Sequence, residues 1–520
     1  MNRPLLELLG TLEHNKLVSV LVALLTYLGC RVTYLLIFHP LAAFPGPRLA
    51  ALTRWYTLYF DAIRGGVFLQ RLEVLHDRYG MIVRIGPNEV HIADPTFYET
   101  LFNFKSSIEK PRYEMGTLII AYQDRGVALT RLVDTMQWTT DHDTHRKRRK
   151  PYEGYFSRQA IQRVEPVISE KTEGLCRRLV QAQKDSSPAN LSVLYRALTI
   201  DVISEYCFGG GYNFLDNESE AKAFVTFNTN ALRVFYWFRD VNITHWLMAL
   251  IIKMLAWMLP RQPGFHELFS SAETSIQALK KGTTGGNTSG HAIIFEGILQ
   301  ADNVPPKEKT IGALKDMSVL LTGAGFETTG NALSVAHLHV SSNPTIHAKL
   351  TEELVTNIPN PQSQLSWQTL EKLPYLKAVL QEAVRMSIVV MARQSRINRR
   401  DVMRYKDYVI PPGTIVSMSH PFILYNADLY PEPHTFNPDR WLCGDEKATK
   451  KLVAFSRGSR SCIGIHLAWA EMFIVFATVM RRFHTELFDT TRKEVDPKTD
   501  AFVPLPESDK GVRVLVKGAK

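Results

Sequence analysis

Cys462 stands in FSRGSRSCIG, Phe455 to Gly464, a Gly/Ser/Arg turn just ahead of the apolar run IHLAWAEMFIVFATVMRRF. Gly458 allows a tight turn there, and Gly464 allows a flat group to come close to the backbone. With a helix beginning near Ile463, the cysteine meets free backbone N–H donors and the positive end of the helix dipole. Both favour thiolate over thiol, taking the pKa below the free value of about 8.5, and Arg460 adds a cation. Such a sulfur is a nucleophile or a ligand for a soft metal. A buried structural cysteine at a helix start is the plainer alternative. The other cysteines, Cys30, Cys176, Cys207 and Cys443, are scattered, with no CxxC pair or Cys/His cluster. A disulfide framework and a zinc module are therefore excluded, and a reducing compartment fits.

A second candidate is AGFETT, Ala324 to Thr329, inside the longest helical stretch, from Pro305-Pro306 to about Ser341. Gly323 and Gly325 each cost about 1 kcal/mol against alanine in a helix interior, so something offsets them. Helical spacing puts Gly325 and Thr328 on one face with Leu314, Ser318, Leu321 and Ala332. A bare backbone and a hydroxyl on an apolar face suit a pocket for a small ligand. A threonine bonded back to its own helix is the alternative. In EAVR, Glu382 and Arg385 are spaced to meet on a helix. Downstream lies FNPDRW, Phe436 to Trp441. The pairs His337/His339 and His142/His145 each lack the third ligand of a metal site.

Together these segments resemble the cytochrome P-450 family. The haem-ligand pattern FxxGxRxCxG is matched at Phe455, Gly458, Arg460, Cys462 and Gly464; AGFETT is similar to the oxygen-activation segment, EAVR to ExxR and FNPDRW to FxPxRW. HRKRRK, His145 to Lys150, takes the place of the WxxxR helix, with His145 where the family has Trp and Arg149 as the cation. The resemblance implies a mainly α fold with a small β-sheet region and haem b (iron protoporphyrin IX) bound through Cys462. A thiolate ligand pushes electron density onto iron and favours O–O cleavage. It also implies that Thr328 assists oxygen activation and Glu327 relays protons. Arg149, Arg460 and Arg396, which follows Arg385 by 11 residues, would bind the propionates. His145 and Phe455 would sit at the haem, with a solvated helix histidine as the other reading of His145. Glu382, Arg385 and Arg440 would form a structural cluster behind the cysteine loop. Ser387 and Ile388 depart from the family, which commonly has proline there.

The implied activity is monooxygenation of a hydrophobic small molecule, with electrons from NADPH through a reductase; cytochrome b5 is a further possible donor. Substrate contacts are expected from Thr117–Leu132, one face of Asp316–Thr329, Ile388–Ala392 and the turn at Phe502–Pro504. The C-terminal run resembles fungal secondary-metabolism members, including terpenoid oxygenases. A haem-dependent isomerase or dehydratase of the same fold is a rival; such relatives usually lose the acid–Thr pair that Glu327-Thr328 keeps, and need no NADPH. A non-catalytic haem protein would bind haem without consuming oxygen.

The elements that position these residues are mostly helices. Apolar residues recur at three and four over Gln159–Ala182 and Leu191–Cys207, whereas Met81–Ala93 and Tyr408–Ser419 read as hairpins. Lys280–His291 is a flexible interhelical connection. The chain has 520 residues, is 45% hydrophobic and carries +10, enough for one large core and an acidic partner or surface. Its basic run serves reductase docking, with Lys447, Lys450, Lys451, Arg457, Arg481 and Arg482, or is a solvated face; no nucleic acid is expected. Residues 17–38 are apolar except Arg31 and long enough to span a bilayer. A cleaved signal peptide and a buried helix are the alternatives. The organisation expected is a short segment 1–16, an anchor 17–38, a proline-rich stretch 39–54 and the haem domain 55–520. Arg48 and Arg54 after the anchor place that domain on the cytosolic face of the endoplasmic reticulum, single-pass, leaving the sequons at Asn190, Asn217, Asn242 and Asn287 unused. Ile243–Pro260 reads as a membrane-surface helix or a buried one, and is marginal for a second span.

Overall fold

Helix-rich patterning yields a helix-rich molecule. The computed structural model describes residues 3–103, 108–111, 122–123, 126–127, 135–233, 265–281, 290–443 and 446–519. Ile243–Pro260, and Thr117–Leu132 apart from the short strands Tyr122–Gln123 and Gly126–Val127, lie outside them.

Helix α1, Arg3–Thr33, continues into a π-helical turn at Tyr34–Phe38. Val18–Phe38 is long and apolar enough to cross a membrane, and most of it is exposed. The Arg31 guanidinium reaches the Tyr27 hydroxyl at 3.2 Å. The proline-rich stretch that follows is packed: Leu41 and Ala50 are 0% exposed. Arg84 holds it, donating to the carbonyls of Leu35 (2.9 Å), Leu41 (3.3 Å) and Pro87 (2.8 Å).

Six helices position the site. Helix α2, His142–Glu153, is capped by the Asp141 side chain. Helix α3, Arg158–Lys184, and α4, Leu191–Phe208, match the sequence periodicity, and Asn190 caps α4 through the Val193 N–H. Helix α5, Ile311–Ser341, begins where the Thr310 side chain accepts the Ala313 N–H. Apolar on nearly every side, α5 is buried along most of its length and packs most extensively on α4. Helix α6, Pro374–Ser387, starts with proline at its first position, and the Glu353 carboxylate accepts the N–H groups of Tyr375 and Leu376. Helix α7, Ile465–Arg482, follows the cysteine loop.

The main sheet contains β1 (Ile82–Gly86), β2 (Glu89–Ile92), β3 (Ile108–Glu109), β4 (Gln394–Asn398) and β5 (Ile415–Met418), in the order β1-β2-β5-β4-β3. The hairpin expected at Met81–Ala93 is β1–β2, with Arg84 opposite Val90. The one expected at Tyr408–Ser419 does not form. Tyr408–Ile410 pairs back onto Met403–Tyr405, while β5 runs parallel to β2 and antiparallel to β4. Pro411-Pro412 between the two strands has no N–H to give a ladder, so the chain leaves one sheet and enters another.

Candidate active site

The cysteine loop is closed by its own backbone. The Cys462 N–H donates to the Phe455 carbonyl at 2.8 Å and the Ser461 N–H to that of Gly458 at 3.1 Å. Gly458 has φ +72°, and a Cβ there would lie 2.5 Å from the Asn103 carbonyl oxygen. Only glycine lets the loop rest on residues 102–103. The Phe455 ring stacks obliquely on Trp469 of α7 at 5.7 Å. Helix α7 starts at Ile465, two residues later than the sequence predicts, because Gly464 serves as its N-cap.

That offset alters the electrostatics. The Gly464 N–H and the Arg149 charge both pull the Cys462 thiol down, yet burial outweighs them and the net shift is upward. The expectation that the protein alone lowers this pKa is corrected: the ionised form needs a charge beyond the loop, such as a coordinated metal would supply. Although it lies deep among protein atoms, Cys462 is solvent-accessible, so it faces an internal space.

Of the predicted cations, Arg149 lies at the cysteine loop, and its charge reaches Cys462. Arg149 donates to the Ser461 carbonyl at 2.7 Å and pairs with Glu153 at 2.9 Å. Arg460 donates to the carbonyls of Thr139 and Thr140, both at 2.7 Å. His145 is buried, and burial together with Arg460, Arg149 and Lys110 pushes its pKa down to about 3. It is therefore neutral, with one ring N–H to give. Arg396 lies over the ring of Phe102, whose carbonyl Gly458 approaches, and its charge reaches buried His420; the ring is 4.6 Å away.

Helix α5 is arranged differently from the sequence reading. Gly325 faces α4: a Cβ there would touch Ile203 at 3.4 Å. Accessible positions on this helix include Ala324, exposed in mid-helix, and half-buried Leu320 and Thr328. Thr328 bonds back to the Ala324 carbonyl at 2.9 Å, the alternative its sequence left open. Glu327 is clamped by Arg196 of α4 at 2.5 and 3.0 Å. Gly330 makes this approach possible, since a Cβ there would lie 2.7 Å from Arg196 Cγ.

Two expected substrate segments meet. The Phe502 carbonyl accepts the N–H groups of Met391 (3.0 Å) and Ala392 (3.3 Å). Ile388, where the family commonly has proline, takes a left-handed conformation at φ 40°. Trp138 packs with Val319 of α5, Phe502 and Ala62. Trp138, Ala62, Lys110 and Arg196 were not singled out from sequence; they belong to no motif and act only through distant neighbours.

Behind the loop the predicted cluster is complete. Arg385 grips Glu382 at 2.8 and 2.9 Å, both 0% exposed, and Arg440 adds a bond at 3.1 Å. The Asn437 N–H (2.9 Å) and the Trp441 indole (3.0 Å) complete the shell. Arg481 and Arg482, expected on a docking face, are buried instead; they donate to the carbonyls of Ile358, Pro359 and Pro361 at the end of a neighbouring helix, and Arg482 also pairs with Glu173. His337 is held between Tyr195 and Thr485 and serves packing.

The donor set fits a flat, anionic, sulfur-binding group. The thiol is accessible, the Arg149 guanidinium acts on it, and a Cβ at Gly464 or Gly323 would meet nothing within 4 Å.

A family model for cytochrome P-450 matches residues 46–511. Curated relatives span nearly the full length. A cytochrome P-450 monooxygenase of Aspergillus parasiticus is 32% identical over 498 residues, covering 95% of this chain and 96% of its own. Tryptophan 6-hydroxylase of Fusarium equiseti is 34% identical, with 98% of each chain covered. Conidiogenone synthase of Penicillium rubens is 33% identical, covering 93% and 96%. With the cysteine loop, the buried Glu–Arg cluster and the long interior helix in place, the chain belongs to the cytochrome P-450 family, and is a haem-thiolate monooxygenase supplied with NADPH electrons by a redox partner.

Proposed function

We propose that this enzyme inserts one oxygen atom into a hydrophobic natural product, a terpenoid or a related fungal secondary metabolite, by hydroxylation or epoxidation. The observation that carries the reading is the accessible Cys462 sulfur in a loop closed on the Phe455 carbonyl. Cys462 is the iron ligand, and the Gly464 N–H tempers its charge. Arg149, Arg396 and Arg460 hold the propionates, with the His145 N–H and the Phe455 side chain beside them. Bound haem supplies the redox chemistry: one atom of O₂ goes to the substrate and the other leaves as water, with two electrons and two protons consumed.

The chain's own residues manage the rest. Thr328 presents its hydroxyl to the chamber, and Glu327 relays protons by exchanging Arg196 for solvent. Trp138, Val319, Phe502 and Ala62 pack as an apolar cluster on α5, which favours a hydrophobic guest beside it. A reductase docks on the exposed Arg146, Lys147 and Lys150 of α2, the helix tied to the cysteine loop, and cytochrome b5 uses the same face. Val18–Phe38 anchors the protein in the endoplasmic reticulum with the domain in the cytosol. The Asn190 side chain is occupied in capping α4 and bonding the Lys510 carbonyl, which supports an unused sequon.

The test is co-expression with a reductase in a host fed terpene skeletons and indoles, followed by product mass spectrometry. Indoles are included because one relative is a tryptophan hydroxylase. Cys462→Ala is expected to lose the thiolate-type carbon-monoxide spectrum. Thr328→Ala keeps it and diverts electrons to peroxide. A nitrogen-ligand spectrum in the wild type would end this reading, and glycosylation of Asn190 in cells would reverse the topology.

A further inference from the structure

An α-helix turns by about 100° per residue, so three successive side chains face three directions. On α5, Glu327 faces α4, where Arg196 holds both its oxygens. Thr328, half-buried, has its hydroxyl on the Ala324 carbonyl. Thr329, 3% exposed, hydrogen-bonds to Glu471 of α7. The middle residue is thus flanked by a tie to each neighbouring helix.

Glu471 is an unusual partner. It is 2% exposed, and its Oε1 has no hydrogen-bond partner among the described residues. An ionised carboxylate there would leave a charged oxygen without a donor in an apolar interior, so the proton stays on. Burial accordingly raises its pKa well above the ordinary value. At 2% exposure the carboxyl has almost no direct contact with solvent, so what its packing fixes is geometry.

We propose that Glu471 is a positioning residue: as a neutral carboxyl bonded to Thr329, it fixes the rotation of α5 so that Thr328 faces the chamber. It thereby ties the helix that follows Cys462 to the helix that carries Thr328. The assignment rests on the role given to Thr328 above.

The experiment uses the full-length haem-loaded enzyme with its reductase, comparing wild type, Glu471→Gln, Glu471→Leu and Thr329→Val. The readouts are the peroxide-to-product split, the carbon-monoxide spectrum and the infrared band of a protonated carboxyl. Gln keeps a neutral hydrogen-bonding group, so Glu471→Gln should hold the wild-type split. Glu471→Leu should raise the peroxide share roughly fivefold, the worth of one hydrogen bond, with the thiolate spectrum intact. Thr329→Val removes the other end of the bond and should match it, which covers a Leu variant that does not fold. The wild-type infrared band should vanish in Glu471→Gln, shift in Thr329→Val and not titrate around neutral pH. Uncoupling in Glu471→Gln as large as in Glu471→Leu would overturn the proposal, as would an unchanged split in both Leu and Val variants or a band that titrates. If Thr328→Ala itself diverts nothing to peroxide, the underlying reading of Thr328 fails, while the infrared band still reports on the Glu471–Thr329 bond.

Discussion

Glu382 and Glu471 are both buried, 0% and 2% exposed, on helices that flank the cysteine loop in sequence. They are satisfied in opposite ways. Glu382 receives donors from Arg385, Arg440, Trp441 and the Asn437 backbone, so its charge is fully paired. Glu471 has the Thr329 hydroxyl on one oxygen and, among the described residues, no partner on the other. Burial alone therefore does not set the state of a carboxyl; the number of donors aimed at it does. The first arrangement makes a rigid buttress behind the loop. The second makes a neutral tie between helices.

The largest expected effect breaks the buttress. Glu382→Gln leaves Arg385 buried without its partner, and should cost about 3–5 kcal/mol in denaturant unfolding together with loss of haem retention. An unfolding midpoint equal to wild type would show that Arg385 is held by the carbonyls of Leu424 and Pro433 alone.

Glu471→Gln should go the other way, and with pH. The ordinary glutamate pKa is 4.5 and the folded value lies well above it. Above pH 4.5 the unfolded chain gives up a proton that the folded chain keeps, so wild-type stability falls as pH rises towards the folded pKa. The Gln variant lacks this loss, and should gain on wild type by up to ~1.4 kcal/mol per pH unit across that window. A constant difference between pH 5 and 7 would mean that Glu471 is ionised in the fold.

A smaller effect sharpens the loop's side of the comparison. Gly458→Ala meets the Asn103 carbonyl and holds φ +72°, which should cost about 1–3 kcal/mol. Because the strain falls beside Cys462, it should appear first as a weakened thiolate carbon-monoxide spectrum rather than as unfolding.

Legibility in the sequence followed the distance over which each feature is built. Gly458, Cys462 and the Phe455 carbonyl close one short loop, so a contiguous pattern could reveal it. Glu382 and Arg385 meet across one helical turn. The helices over 158–184 and 191–208 were evident because burial of a helix face repeats at a fixed spacing. Gly325 was misplaced because two sides of α5 are equally apolar, and nothing local says which one meets Ile203. Arg481 and Arg482 read as a basic surface because their acceptors, carbonyls more than a hundred positions away, leave no mark beside them.

The sequence by itself determined the chemistry: a cysteine loop with its glycine turn, an acid–threonine pair in a long helix, and an arginine-gripped glutamate. Each is a short-range pattern whose backbone and side chains interact within a few residues. Only the tertiary structure decided the rotation of α5, the packing of Trp138 with Ala62, Val319 and Phe502, the depth at which the accessible Cys462 lies among protein atoms and the solvent-shielded place of Glu471. Those depend on which helix lies opposite and how many donors it brings, and packing between distant segments is what sets both.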